Sequence, residues 1–379
     1  MNFAFTQEQE ELRAAARAFL TDHSSSEHVR TAMASELGWE PGTWKRIGAE
    51  LGWPSVHIPE EYGGIGLGYV ELVALMETMG EALLCAPFFS SVCLAANALL
   101  CAGSDAQKAE FLPRIAEGQL VATLAFTERN GRWDAAAIET EARREGDEIV
   151  LTGAKRYVVD GHAAELFVVA AREPGSVGEA GIGLVLVAAE AAGLVRSALP
   201  TMDQTRRQAQ VNFDGVRVPA SASLGEPGAA WPALQRTLDL ATVALAAEQV
   251  GGAQRCLDMS VAYAKEREQF GRPIGSFQAI KHKCADMMVK VESARSAAYY
   301  AGCVAAEGRE DLDIAASLAK SWCSEAFFHC AGASIQIHGG VGFTWEYDPH
   351  LYFKRARASQ SLLGDPTVHR ERVARHLGL

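Results

Sequence analysis

The sequence predicts an α+β chain in which helices come first, short strands follow, and long helices return. Three changes of texture carry that prediction. Apolar residues recur at three- and four-residue intervals up to about position 120. From about Val121 short β-branched runs alternate with glycine, proline and charges. From Ala229 the chain becomes alanine-rich and nearly free of proline. The domains expected are therefore 1–120, helical; 121–228, an antiparallel β-domain; and 229–379, helical.

The opening FTQEQEELRAAARAFL places Thr6 three residues before Gln9, the pattern of a capping box, with Leu12, Ala16 and Phe19 at helical spacing. Helical patterns continue over 39–51, 70–81 and 108–117, broken by IPEEYGGIGLGY, a glycine-rich loop too long for a simple turn. Cys85, Cys93 and Cys101 recur every eight residues, which fits one helix face and small buried hydrophobes. The apolar run over 73–103 is interrupted by Glu77, Glu81, Pro87 and Asn97, so it reads as a pair of buried helices, not a membrane span.

The strands are expected in AAIETEARR, EIVLTGAKRYVV, ELFVVAAR, GLVLVAA and QAQVNFDGVRVP. A loop of Ser, Gly and Pro over 219–227 closes that region. With 379 residues, 49% of them hydrophobic, the chain can bury a large core in two or three substructures. Its net charge of -12 argues against a nucleic-acid partner. None of the eight cysteines forms a CxxC pair, and no segment reads as a signal peptide, so a reducing cytoplasm is expected.

Four segments carry more than a fold class. YAKEREQFGRPIGSFQAIKHKCADM, 263–287, and IQIHGGVGFTWEYDPHLYFKRAR, 335–357, resemble signature segments of the acyl-CoA dehydrogenase family. PEEYGG at Pro59 and LTGAKRYV at Leu151 fall in the same order and spacing. The resemblance covers the whole chain, and its two C-terminal segments are the specific ones. It implies an N-terminal helical domain, a β-domain and a C-terminal four-helix bundle, with bundles packing into a tetramer built as a pair of dimers. It further implies FAD at a subunit interface, one chain holding the flavin ring and its neighbour the ADP end. In the family a glutamate removes the α-proton of an acyl-CoA, and a hydride from the β-carbon passes to flavin N5.

The resemblance maps the neighbour's contribution onto Arg267, Gln269, Phe270, Gln336, Gly339 and Gly340. The side chains suit that role: Arg267 offers a fork of donors for a pyrophosphate, Phe270 a flat face, and the glycines a close backbone approach. Taken singly, Arg267 reads more readily as a surface helix charge and the glycines as a simple turn. Together and in family order they read as half of a cofactor site.

The other half departs from the pattern. Where the family's flavin-facing strand reads like TEPGAGSD, this chain has Thr127, Glu128, Arg129, Asn130, Gly131, Arg132, Trp133 and Asp134. Thr127 is retained as a cofactor residue, while Trp133 stands where a small serine helps bind CoA. Tyr157 matches the aromatic of the next strand, but Val159 replaces a threonine and loses its hydroxyl. The two family positions of the base fall on Leu363 and Ala241, neither of which can accept a proton. Glu248 and Asp365 are the nearby carboxylates that could substitute; a bundle hydrogen bond and a loop cap are the plainer readings.

His282 and His338 read as packed structural histidines. His329, His350 and Cys330 show no metal-ligand pattern, so no metal is expected. Asp203 and Arg206 read as ordering the loop before the last strand, with contact to a partner chain as the other option.

Four functions remain open. In the first, the chain is the base-lacking partner of an α2β2 acyl-CoA dehydrogenase. Its homologous catalytic subunit would supply the flavin site, and the substrate would be a bulky acyl-CoA such as a steroid side-chain thioester. In the second, it is a self-sufficient FAD-dependent homo-oligomer with a relocated base. In the third, it is a flavin monooxygenase on the same fold. In the fourth, it is a structural or regulatory chain without flavin.

Overall fold

The computed structural model describes residues 6–379. Its helices are α1 (Gln7–His23), α2 (Ser26–Ala34), α3 (Pro41–Lys45), α4 (Tyr69–Glu81), α5 (Asn97–Ala102), α6 (Asp105–Ala116), α7 (Trp231–Glu266), α8 (Gln278–Ala306), α9 (Leu312–His338), α10 (Pro349–Ser361) and α11 (Pro366–His376). The chain divides into two compact units. One holds the residues up to Thr31, with Gly68–Leu84 and Thr242–Leu379; the other holds Ala32–Leu67 and Cys85–Ala241.

The first unit is helical. The capping box at Thr6 forms: Thr6 Oγ1 accepts from the Gln9 N–H at 3.3 Å, and Gln9 Oε1 accepts from the Thr6 N–H at 2.9 Å. Ala16 and Leu20 of α1 turn into the core. Glycine sets how closely α4 and α7 pack, because a Cβ on Gly80 would lie 2.1 Å from the Glu248 carbonyl oxygen. A Cβ on Gly251 would lie 1.8 Å from the Glu77 carbonyl oxygen. Glu77 of α4, with no exposed surface, reaches α8, accepting from Arg295 Nε at 2.9 Å and from the Tyr299 hydroxyl.

The second unit holds the sheet: β1 (Ala122–Ala125), β2 (Glu141–Glu145), β3 (Glu148–Val159), β4 (Leu166–Arg172), β5 (Ile182–Ala188), β6 (Leu194–Ala198), β7 (Gln208–Pro219) and β8 (Ser223–Leu224). The order is β6-β7-β3-β2-β4-β5-β8, with β1 against β4. Most pairs are antiparallel, as the turn-punctuated sequence indicates, but β1 runs parallel to β4 from Ala122↔Leu166 to Ala125↔Val169. Every residue of β1 and β4 is buried, the state in which parallel strands are usually found.

Two local expectations need correction. The helical pattern over 39–51 splits into α3 and a π-helical stretch, Arg46–Glu50. There Gly48 lies against the backbone of Glu117 and Gly118, so close that a Cβ would sit 2.5 Å from the Glu117 oxygen. Cys85 lies in the loop ahead of the helical segment that carries Cys93 and Cys101, so the three do not share one helix face. Cys85 and Cys93 are nonetheless buried, and all eight cysteines are free thiols. Among the described residues no helix is long and apolar enough to cross a membrane.

Candidate cofactor and active site

In the helical unit α7 ends at Glu266, and the chain turns through a hairpin of β9 (Glu268–Gln269) and β10 (Arg272–Pro273), with Gln269 paired to Arg272. Its tip is Phe270–Gly271, at φ 56° and 76°. Positive φ at both central residues is the tight-turn geometry that fits the twist of paired strands. Glycine takes it freely; Phe270 takes it at a cost and still points its ring out, 93% exposed. Arg267, just before the hairpin, is exposed and makes no ion pair among the described residues. Its backbone is fixed at both ends: its N–H donates to the Tyr263 carbonyl at 2.8 Å, and its carbonyl accepts from Ile274 at 2.7 Å.

Gln336 is exposed on the last turn of α9. Gly339 ends that helix at φ 65°, ψ −140°, a conformation that side chains strongly disfavour. A Cβ on Gly339 or Gly340 would meet nothing within 4 Å, so both backbones face open space. An unpaired guanidinium, an exposed aromatic face and two glycines fronting open space fit the pyrophosphate and adenine end of FAD.

The turn that follows α10 is held from below. Leu363 is 5% exposed and sits at φ 61°, with Gly364 at φ 97°. Lys320, fully buried, donates through Nζ to the carbonyls of Ser359 (3.1 Å), Gln360 (3.1 Å) and Gly364 (3.0 Å), and to Ser324 Oγ at 2.9 Å. Burial pulls its pKa down to about 7 against weaker upward pulls from Cys323 and Asp365. His369 Nε2 lies 2.9 Å from the Leu363 carbonyl, and burial holds this ring neutral, with a pKa down at about 3. A neutral ring beside a carbonyl carries its proton on the facing nitrogen, so Nε2 donates.

Neither carboxylate expected near the base positions points freely. Glu248 is buried and accepts from Arg355 Nη1 at 3.0 Å, both side chains nearly inaccessible. Asp365 caps α11, accepting from the N–H groups of Thr367 (2.8 Å) and Val368 (3.0 Å). Ala241 has no exposed surface.

In the sheet unit Thr127 is 3% exposed, and its hydroxyl donates to the Arg156 carbonyl at 2.6 Å. Trp133 lies flat on Phe126, ring centroids 5.3 Å apart and planes 2° from parallel. The excursion carrying Trp133 is tied down by Glu128, whose Oε1 accepts from Glu139 N–H (2.9 Å), Thr140 N–H (2.8 Å) and the fully buried Lys155 (2.7 Å). Burial raises the Glu128 pKa, yet the Lys155 charge and these donors outweigh it and leave it lowered. Lys155 is pulled down to about 8, again by burial first. Val159 is buried, and Tyr157 stands at φ 61° where β3 bulges against β7.

Of the remaining sequence candidates, His338, His350 and Cys330 are buried, whereas His282, expected to be packed, is exposed, as is His329. No group of His, Cys, Asp or Glu among the described residues could hold a metal ion. Asp203 accepts from the Thr205 backbone at 2.9 Å, and Arg206 lies over the Phe89 ring at 4.7 Å. Sequence reasoning missed Lys320 and Lys155, because a lysine in an apolar run reads as a surface charge until its acceptors are known.

Comparison with known proteins bears on the family and the fold. Family models match three consecutive stretches: acyl-CoA dehydrogenase N-terminal domain over 6–119, middle domain over 123–216 and C-terminal domain over 228–378. The chain is 35% identical over 369 residues to the acyl-CoA dehydrogenase IpdE2 of Mycolicibacterium smegmatis, covering 97% of this chain and 98% of that one. Two solved structures are similar along nearly their full lengths. A chain of the ChsE4–ChsE5 complex from Mycobacterium tuberculosis has a TM-score of 0.90 at 29% identity, covering 100% of this chain and 99% of that one. A variant of the Tcur3481–Tcur3483 steroid ACAD has a TM-score of 0.88 at 32% identity, covering 98% of each. With all three domain models matched in order and a full-length relative above 30% identity, the chain belongs to the acyl-CoA dehydrogenase family.

Proposed function

We propose that this chain is the base-lacking subunit of a heteromeric, FAD-dependent acyl-CoA dehydrogenase that oxidises a bulky acyl-CoA, such as a steroid side-chain thioester, to the 2-enoyl-CoA. It donates the ADP-end half of a flavin site whose other half belongs to a homologous catalytic chain. The observation that carries this is the pairing of an outward-facing half-site with an inward-turned one. Arg267 and Phe270 are exposed and uncommitted to other charges, whereas the Thr127 hydroxyl is already donated and the two base positions hold Leu363 and Ala241. Similarity to a chain of a two-protein complex and to a steroid ACAD supports the heteromer and the substrate class.

Bound FAD supplies the hydride acceptor. Arg267 would hold the pyrophosphate, Phe270 would cover the adenine end, and Gln336, Gly339 and Gly340 would present amide groups. None of these side chains moves the substrate's α-proton, so that proton falls to the partner's base. A self-sufficient enzyme would need Glu248 released from Arg355 or Asp365 released from its cap.

The test is Arg267→Ala in the oligomer purified through a tag on this chain. FAD occupancy is expected to fall several-fold, although the substituted chain has no base. Unchanged occupancy and turnover would remove the donated half-site.

A further inference from the structure

The half-site has two carriers, the end of α7 with its hairpin and the end of α9 with its glycines. Among the described residues no hydrogen bond or ion pair joins 267–270 to 336–340. Rings join them instead. Tyr263 stands four residues before Arg267 on the last turn of α7, and its carbonyl accepts the Arg267 N–H. His338 is the last residue of α9, directly ahead of Gly339. These two rings stack with centroids 4.4 Å apart and planes 22° apart.

Tyr347 closes the cluster. It meets Tyr263 edge-on at 6.3 Å and 87°, and His338 at 6.2 Å and 66°. His338 is 7% exposed and is anchored through Nδ1, 2.8 Å from the Ser334 carbonyl. A carbonyl only accepts, so Nδ1 carries the proton and the ring is oriented for stacking by its own helix. Stacked and edge-on aromatic contacts have definite geometry, so the cluster fixes a distance where a merely apolar contact would allow sliding.

We propose that Tyr263, His338 and Tyr347 are the positioning residues of the ADP-end half-site, setting the spacing between Arg267 and the Gly339–Gly340 backbone. This rests on the half-site reading above. None of the three need touch the cofactor. Their work is to make two chain segments, more than 60 residues apart in sequence, act as one rigid cradle.

The experiment measures FAD affinity and melting temperature in the flavin-bearing oligomer purified through a tag on this chain. Five variants are compared: Tyr263→Leu, Tyr263→Phe, His338→Ala, the half-exposed Tyr347→Leu and Arg267→Ala. Tyr263→Leu, His338→Ala and Tyr347→Leu are each expected to weaken FAD binding about fivefold to tenfold, the loss of one aromatic contact at this site. Tyr263→Phe should keep wild-type affinity, because it keeps the stacking face. A lower melting temperature with FAD affinity unchanged would reduce the cluster to packing and overturn the proposal, as would equal weakening by Tyr263→Phe. If Arg267→Ala weakens binding and the ring variants do not, the positioning role fails while the half-site stands. If no variant weakens binding, the half-site itself fails.

Discussion

Lys320 carries its charge among carbonyl oxygens, with no carboxylate within ion-pairing distance among the described residues. The groups around it are Ser324 and Cys323 on its own helix, the carbonyls at 359, 360 and 364, Asp365, and the neutral ring of His369. Its folded pKa of about 7 lies below the ordinary 10.5, so between those values the unfolded chain binds more protons than the folded one. This group therefore makes stability rise with pH across that window, by at most about 1.4 kcal/mol per pH unit. Below pH 7 both states are charged and the slope vanishes. Lys320→Met should remove the rise, and should cost about 1–3 kcal/mol because three buried carbonyls lose their donor. Urea unfolding of both proteins at about pH 7.5 and about pH 9.5 measures it. A variant with the wild-type pH slope would show that Lys320 does not titrate as described.

Glu248 and Asp365 show what a sequence can and cannot say about single residues. That a carboxylate follows each of the two expected base positions, Ala241 and Leu363, was plain from the order of residues. What each carboxylate does was settled by partners distant in sequence or hidden in the backbone, Arg355 for one and two amide groups for the other.

The α4–α7 contact depends on two backbones approaching without a Cβ between them. Gly251→Ala should cost about 1–3 kcal/mol, since the added methyl meets backbone that can move only with its helix. A lowered melting temperature with an unchanged helical circular-dichroism signal is the expected result. The same distinction explains which elements could be read from the sequence. The capping box at Thr6 and the β-branched runs EIVLTGAKRYVV and QAQVNFDGVRVP are local patterns, and each formed where its residues indicated, the runs as β3 and β7. The direction of β1 is not local: four buried residues look alike in either orientation, and only pairing with β4 decides it. The π-helical stretch at Arg46–Glu50 likewise answers to the backbone at Glu117–Gly118, about 70 residues away.

For the whole chain, the six residues proposed to hold the ADP end of FAD face outward, while the residues expected to meet the flavin ring are engaged within the chain. Arg267, Gln269, Phe270, Gln336, Gly339 and Gly340 were legible because they sit in two specific segments, and all are exposed. The stacking of Trp133 on Phe126 was not legible, because it depends on how Glu128 and Lys155 fix the intervening excursion. A chain built this way should need a second, homologous chain to complete a flavin site. The direct measurement is the visible spectrum and molar mass of this chain expressed and purified alone. A colourless protein, or one with far less than one FAD per chain, is the expected result. A yellow homo-oligomer holding one FAD per chain would contradict the heteromeric reading and turn attention to Glu248 and Asp365 as bases.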